Sequence, residues 1–262
     1  MTFKTKKSLG QNFLIDRDVL EKIVNTVDIN NKEVLEIGPG SGNLTTYILK
    51  KEPKKIYVIE KDNDLSLLLE EKFNNVITII NDDVLKINED KISTSKLLVF
   101  GNLPYNISTE ILSKWIVNLG TNFWFDSLVL MFQKEVADRI IAKSNTSKYG
   151  RLSILSNWKL NIKKIMDIKP ESFSPRPKID SSLLLFTPKK DYFRLKDAKN
   201  LEIITRIFFS QRRKMLKKPF NQVFKNAKTV SEKFKIDLNL RPQNLDPKTY
   251  FELVKEYESL RG

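Results

Sequence analysis

The 262-residue sequence predicts an α/β fold built on a parallel sheet, followed by a smaller all-helical region. Two observations carry that prediction. Short apolar runs at Glu33–Ile37, Ile56–Glu60, Val76–Ile80 and Leu97–Phe100 alternate with stretches of helical spacing, the pattern of parallel strands joined by crossover helices. Beyond Pro188 the strand signal ends, and Leu201, Ile204, Ile207 and Phe208 open a wholly helical periodicity. A boundary is therefore expected there, with one domain over 1–188 and a second over 189–262.

In chain order, Met1–Lys7 is a basic arm, and Lys6–Leu14 passes from basic to polar to apolar ahead of the helical spacing Val19, Ile23, Val24, Val27. The strand Glu33–Ile37 runs into Gly38-Pro39-Gly40-Ser41-Gly42, which holds three of the eight glycines of the chain; Leu44, Ile48 and Leu49 then take helical spacing. The second strand ends in Glu60 and the third in Asn81-Asp82-Asp83. Leu97–Phe100 enters the turn Gly101-Asn102-Leu103-Pro104-Tyr105-Asn106, and a helix with Ile111, Leu112, Trp115, Ile116 and Leu119 on one stripe follows from about Ser108. Phe123-Trp124-Phe125 reads as packing. Ser127–Phe132 is a fifth strand, Val136–Ala142 a helix with Arg139 exposed, and Tyr149-Gly150-Arg151-Leu152-Ser153 opens another helix. Lys159–Ile168 and Ser181–Phe186 read as an antiparallel pair closing the sheet, joined through the proline-stiffened loop Glu171–Lys178. There are no repeats.

Composition narrows the chemistry. The absence of Cys rules out disulfides, thiolate metal sites and a cysteine nucleophile, and the absence of His removes the commonest general base and metal ligand. No metal is expected. No apolar run approaches the ~20 residues that span a bilayer, so a cytosolic or organellar protein is expected, cytoplasmic in the first instance and without a membrane partner. The net charge of +14 is unevenly placed: 19 basic residues face 9 acidic ones from Lys189 onward. That region suits a polyanion, nucleic acid before a membrane surface, although a solvated lysine-rich face has the same composition.

Glycines at the carboxyl end of a strand let backbone approach a ligand closely, where open α/β sheets bind ligands. An acid about twenty residues further on, Glu60, can take both hydroxyls of an adenosyl ribose. Asn81-Asp82-Asp83 can bond an adenine amine. The glycines fall as G-x-G-x-G, without the G-x-G-x-x-G spacing that seats a pyrophosphate. S-adenosylmethionine fits better, since its cationic centre can be met by an aromatic face such as Tyr105 or Phe13.

The Asn102–Tyr105 turn is equipped to hold a flat base by its exocyclic amine. The Asn102 side-chain oxygen and a backbone carbonyl near Leu103-Pro104 can accept both N–H bonds, and Tyr105 can stack on the ring. An ordinary strand–turn–helix join would use the same residues, with Asn102 supporting the turn and Tyr105 packing. Phe173 can form the second jaw of a base clamp opposite Tyr105, with Arg176 and Lys178 near phosphates, or it can plug the core. Gln211-Arg212-Arg213-Lys214 with Lys217-Lys218 forms a basic stripe.

Together these segments resemble the KsgA (RsmA) family of rRNA adenine N6,N6-dimethyltransferases over nearly the whole chain. The resemblance rests on Ser8–Leu14, Glu36–Gly42, Gly101–Ser108, Tyr149–Ser153, Ser172–Ser181 and Gln211–Lys214, in that order. It implies a Rossmann-like, seven-stranded S-adenosylmethionine-dependent methyltransferase sheet over 1–188 and a small all-helical RNA-binding domain over 189–262. It further implies that Asn12, Leu14, Gly38, Glu60, Asp83 and Asn102 contact the cofactor, with Gly40 in the same loop. Asn102, Leu103, Pro104, Tyr105 and Phe173 would frame the target base, and Arg151, Arg176, Lys178, Arg212, Arg213, Lys214, Lys217 and Lys218 would meet RNA. The expected activity is dimethylation of two adjacent adenosines in the loop of the 3′-terminal helix of small-subunit (16S) rRNA, by a monomer acting on the assembling small subunit. The related antibiotic-resistance methyltransferases share the Asn-x-Pro-Tyr element, but Pro39 and Tyr149–Ser153 point away from them. DNA adenine and protein glutamine methyltransferases carry a second proline where this chain has Leu103. Gln243 departs from the family, which often has an acid there.

Overall fold

The computed structural model describes residues 11–261, so the basic arm expected at Met1–Lys7 lies outside the described residues. In chain order the elements are β1 (Phe13–Leu14), α1 (Arg17–Val24), β2 (Glu33–Ile37), α2 (Asn43–Leu49), β3 (Lys55–Ile59), α3 (Asn63–Phe73), β4 (Thr78–Ile80), β5 (Leu97–Asn102), α4 (Ser108–Asn118), β6 (Phe125–Gln133), α5 (Lys134–Ile140), α6 (Arg151–Lys159), β7 (Leu160–Ile168), β8 (Phe173–Ser174), β9 (Ser181–Pro188), α7 (Ala198–Ser210), α8 (Lys217–Val223), α9 (Ala227–Lys233) and α10 (Pro247–Ser259).

Seven strands form one sheet in the order β4-β3-β2-β5-β6-β9-β7. The first five pair in parallel and β9 runs antiparallel to β6. A parallel sheet is covered on both faces by its crossover helices, which is why Leu35, Val58 and Val99 on its central strands are fully buried. Strand order reverses at β2, which lies between β3 and β5. Their ends are level, since Ile37 is opposite Ile59 on one side and Gly101 on the other.

The third strand is shorter than Val76–Ile80. Asn74 and Asn75 adopt φ of 41° and 69°, and the Val76 N–H donates to the Phe73 carbonyl at 2.9 Å, so the chain is still turning out of α3. Val76 is 62% exposed as a result. Lys159, expected to begin the closing pair, is instead the last residue of α6. Phe123 and Phe125 pack edge to face at 5.8 Å.

A second, two-stranded sheet joins β1 to β8, with Leu14 opposite Phe173. Asp16 fixes the start of α1 after it: one carboxylate oxygen accepts from the N–H groups of Asp18 and Val19, and the other from Ser172 Oγ at 2.8 Å. Those bonds, the Ser172 hydroxyl foremost, hold the Asp16 carboxyl below the usual range.

The chain divides into two compact units, residues 11–114, 119–137 and 161–188, and residues 115–118, 138–160 and 189–261. This differs from a single boundary after 188. In the second unit α6 packs on α7 and α10. Trp158 Nε1 donates to the Phe193 carbonyl at 2.7 Å, and Tyr149 meets the Phe209 ring edge-on at 6.1 Å. The helix that interrupts the α/β pattern thus buries Ile154, Leu155 and Trp158 among helices, a choice of partner that periodicity does not encode. An aromatic chain, Phe224–Phe220–Phe208–Tyr250–Phe209, forms the centre of this unit.

Candidate active site

The carboxyl ends of β2, β3, β4 and β5 open on one cavity of about 270 Å³, at the point of strand-order reversal where open α/β sheets bind ligands. The loop after β2 supplies its floor. Gly38 and Gly40 have φ of 66° and 58°, and a Cβ on Gly40 would stand 2.7 Å from the Phe13 ring, so only glycine lets the backbone lie there.

Four acids surround that loop. Glu60, after β3, is buried; one carboxylate oxygen accepts from Gly40 N–H at 3.2 Å and the other from Asp62 N–H at 2.9 Å. Burial, the largest influence, raises its pKa. Each oxygen keeps a further lone pair for a ligand hydroxyl. Glu36, on β2, is only 2% exposed and accepts from Thr45 Oγ1 at 2.6 Å. Burial pushes it up to about 7, and the negative charge of Glu60 adds to the effect. Asp82 and Asp83, after β4, line the cavity. Asp83 pairs with Lys61 at 2.8 Å and accepts from Leu85 N–H at 3.0 Å; the Lys61 ammonium bond leads in holding its carboxyl below the usual range. Asn81 does not join them on the cavity wall; its Nδ2 donates to the Glu60 carbonyl at 2.9 Å.

The Asn102–Tyr105 turn forms the facing wall. Asn102 Nδ2 donates to the Asn12 carbonyl at 2.8 Å, which fixes the amide plane. Among the described residues no donor reaches Asn102 Oδ1. The Pro104 carbonyl accepts from Ile107 N–H at 3.1 Å, leaving the Leu103 carbonyl as the other open acceptor of the turn among the described residues. The Leu103 side chain is buried and tucks over Gly101, where a Cβ would stand 2.8 Å from its Cδ2. Tyr105 lines the cavity, and its hydroxyl lies 2.5 Å from Ser181 Oγ; burial raises the phenol pKa.

Asn12 and Leu14 also line the cavity. Leu14 lies in the core, and its carbonyl accepts from Asn43 Nδ2 at 2.8 Å, so its remaining offer to a ligand is its N–H and its surface.

Three of the expected residues are engaged by the protein itself. Phe173 does not stand opposite Tyr105: it is 3% exposed, packs in the core with Leu14 and Leu183, and is no part of the cavity wall. Pairing of β8 with β1 turns it inward. Arg212 is not a free member of the basic stripe. Its Nε donates to Gln243 Oε1 at 3.2 Å, and its Nη2 to the carbonyls of Thr146, at 3.3 Å, and Ser147. The neutral Gln243 thus receives this arginine where the family often has an acid. Arg176 pairs with Glu171. By contrast Arg151, Lys178, Arg213, Lys214, Lys217 and Lys218 are exposed, and none has a carboxylate partner among the described residues.

Sequence reasoning named no role for Glu36, Thr45, Lys72 or Ser181. Lys72 donates to the Ser41 and Gly42 carbonyls at 2.8 and 3.3 Å and so pins the glycine loop; burial lowers its pKa. Glu36 was detectable as one acid inside the apolar run Val34-Leu35-Glu36-Ile37. The others depend on tertiary contact.

A seven-stranded Rossmann-like sheet with a glycine loop, an acid at the next strand end and an Asn-Leu-Pro-Tyr turn around one cavity defines a methyltransferase. The model of the ribosomal RNA adenine dimethylase family matches residues 2–259, and the chain belongs to that family. It is 79% identical over 262 residues to the ribosomal RNA small subunit methyltransferase A of Pelagibacter ubique (strain HTCC1062), covering 100% of both chains. Identity to the protein of the same name from Wolbachia sp. subsp. Drosophila simulans (strain wRi) is 42%, covering 98% of this chain and 95% of that one. Among solved structures, a dimethyladenosine transferase from Plasmodium falciparum superposes with a TM-score of 0.77 at 27% identity, over 94% of this chain and 98% of that chain.

Proposed function

We propose that this protein dimethylates N6 of two adjacent adenosines in the loop of the 3′-terminal helix of small-subunit rRNA, with S-adenosylmethionine as methyl donor, during assembly of the subunit. Supporting this, relatives at 79% and 42% identity are named ribosomal RNA small subunit methyltransferase A, and the family is that of ribosomal RNA adenine dimethylases. The observation that carries the residue-level reading is the amide of Asn102, oriented through Asn12 so that Oδ1 is presented as an acceptor beside the cavity.

The cavity fits the cofactor on its own terms: a glycine loop held so close to the Phe13 ring that Gly40 has no room for a Cβ, a buried carboxylate at Glu60 with acceptor capacity to spare, and Asp83 at the third strand end. When bound, S-adenosylmethionine supplies a methyl group carried on a sulfonium. Glu60 would hold the ribose hydroxyls and Asp83 the adenine amine. Asn102 Oδ1 and the Leu103 carbonyl would accept the two N–H bonds of the target amine and so orient its lone pair. Holding the partners in that geometry would supply much of the rate; as the new N–C bond forms, the methyl–sulfur bond breaks, its electron pair leaves with the neutral thioether, and the amine proton passes to water. No histidine is needed. After one methylation a single N–H remains, so the second transfer leans on stacking by Tyr105. The adenine leaves its stack at a cost of about a few kcal/mol, and Arg151, Lys178, Arg213, Lys214, Lys217 and Lys218 hold the RNA by its phosphates. The protein works as a monomer in the cytoplasm; no helix among the described residues is long and apolar enough to cross a membrane.

Incubation with labelled S-adenosylmethionine and under-methylated small subunits, followed by nucleoside analysis, tests this. N6,N6-dimethyladenosine at two neighbouring positions is expected. Label in DNA or protein, or none, overturns the reading.

A further inference from the structure

We propose that Lys114 is a positioning residue for the adenosyl end of the cavity: its ammonium ties the segment after Asp83 to the helix that follows the catalytic turn. This assignment rests on the S-adenosylmethionine reading above. Lys114 Nζ donates to the Val84 carbonyl at 2.8 Å, to the Ile87 carbonyl at 2.5 Å and to Glu89 Oε1 at 2.8 Å. Three acceptors use all three of its donors.

The acceptors matter because of where they are. Asp83, Val84 and Leu85 line the cavity, and between β4 and the short turn at Glu89–Lys91 the chain has no regular structure. Carbonyls of such a segment need partners that no ladder supplies. Lys114 supplies two of them from behind the wall, without lining the cavity itself. Its own helix, α4, starts at Ser108 immediately beyond Asn102–Ile107, which form the other wall. One side chain therefore links the wall that carries Asp83 to the element that carries the Asn102 turn. Glu89 is 4% exposed, so its carboxylate completes the ammonium site in a dry environment.

A plain salt bridge would only neutralise Glu89. The positioning role requires the two carbonyl bonds as well, and the two cases separate experimentally. Binding of S-adenosylhomocysteine, of methylthioadenosine and of an rRNA fragment is measured by calorimetry, with thermal stability, for the parent protein, Lys114→Met, and Lys114→Met combined with Glu89→Gln. The expected result is that Lys114→Met loses about tenfold in affinity for both adenosyl ligands, the size of a charge-assisted hydrogen bond, while rRNA affinity holds. Lys114→Met alone is also expected to lose stability, because it takes the ammonium away from a buried carboxylate. The double variant should recover stability but not adenosyl affinity. Unchanged adenosyl affinity in Lys114→Met, or its full recovery in the double variant, overturns the proposal. A parent protein that binds neither adenosyl ligand overturns the cofactor reading itself, and this assignment with it.

Discussion

The cavity and the basic stripe use charge in opposite ways. In the cavity every carboxylate is oriented by a donor of the chain: Glu36 by Thr45, Glu60 by Gly40 and Asp62, Asp82 by the Asp83 N–H, Asp83 by Lys61 and Leu85. Along 213–218 the cations Arg213, Lys214, Lys217 and Lys218 stand in solvent without carboxylate partners among the described residues. A fixed acceptor in a dry site discriminates one ligand atom from another, whereas a solvated ammonium attracts any phosphate and is screened by salt. Changes in the first region should therefore be steep and local. Those in the second should be shallow, additive and dependent on ionic strength.

The steepest test is Asn102→Ala. Its Oδ1 acceptor acts on the attacking amine, so its contribution should grow toward the transition state instead of serving binding alone. Turnover should fall by about two or more orders of magnitude, the range seen when one oriented group is removed from a reaction centre, while RNA affinity barely moves. Cofactor affinity should fall somewhat, since the amide also ties Asn12. Single-turnover kinetics checks this; the parent rate in the variant would make the turn a structural join only.

Next in size is Glu60→Ala, which should weaken S-adenosylmethionine binding by about 1–3 kcal/mol through loss of a charged acceptor. The Gly40 N–H would also lose its partner, so part of the cost comes from a looser glycine loop. Calorimetry that finds equal affinity would remove Glu60 from the site.

Glu36 offers a smaller, pH-dependent test of the same dry environment. Its folded pKa is raised from 4.5 to about 7, so between those values the folded state keeps a proton that the unfolded chain has released. Stability contributed by this group is therefore full below pH 4.5, falls as pH rises through that window and is lost above about pH 7. Glu36→Gln should remove the slope and stabilise the ligand-free protein by about 1–2 kcal/mol at pH 8, with little effect at pH 4.5. Denaturant unfolding at the two pH values measures it, and equal stability of parent and variant at pH 8 would show that Glu36 ionises without penalty.

The same contrast explains what the sequence could and could not disclose. Strand ends are legible because glycine spacing, an acid after a β-branched run and Asn-Leu-Pro-Tyr are local, and the parallel sheet then brings them together without further information. Side-chain partners across long separations are not local. Phe173 carries an aromatic ring suited equally to a clamp or a core, and only its register against Leu14 decides for the core. Helix α6 buries residues around most of its surface, Ser153, Ile154, Leu155, Ser156 and Trp158 among them, so its sequence names no preferred neighbour. Arg212 sits beside Arg213 in one basic run, yet the turn at Thr146-Ser147 and Gln243 claims its guanidinium.

That pair of adjacent arginines gives the mildest and most selective test. Replacing Lys217 and Lys218 with Glu should weaken rRNA binding several-fold near physiological salt and flatten the slope of log affinity against log salt by about one to two units, since about 0.7–0.9 counterion is released per phosphate contact. Arg213→Ala should follow the same rule at about half that size or less. Arg212→Ala should not. Its guanidinium is engaged with two backbone carbonyls and Gln243, so its removal should lower the melting temperature and leave the salt slope as in the parent. Cofactor affinity should stay constant in all three, because none of these residues lines the cavity. Filter binding across a salt series, run beside thermal melts, separates the two classes. An Arg212→Ala variant that melts like the parent but binds RNA with a reduced salt slope would return Arg212 to the stripe and place its inward contacts second to phosphate.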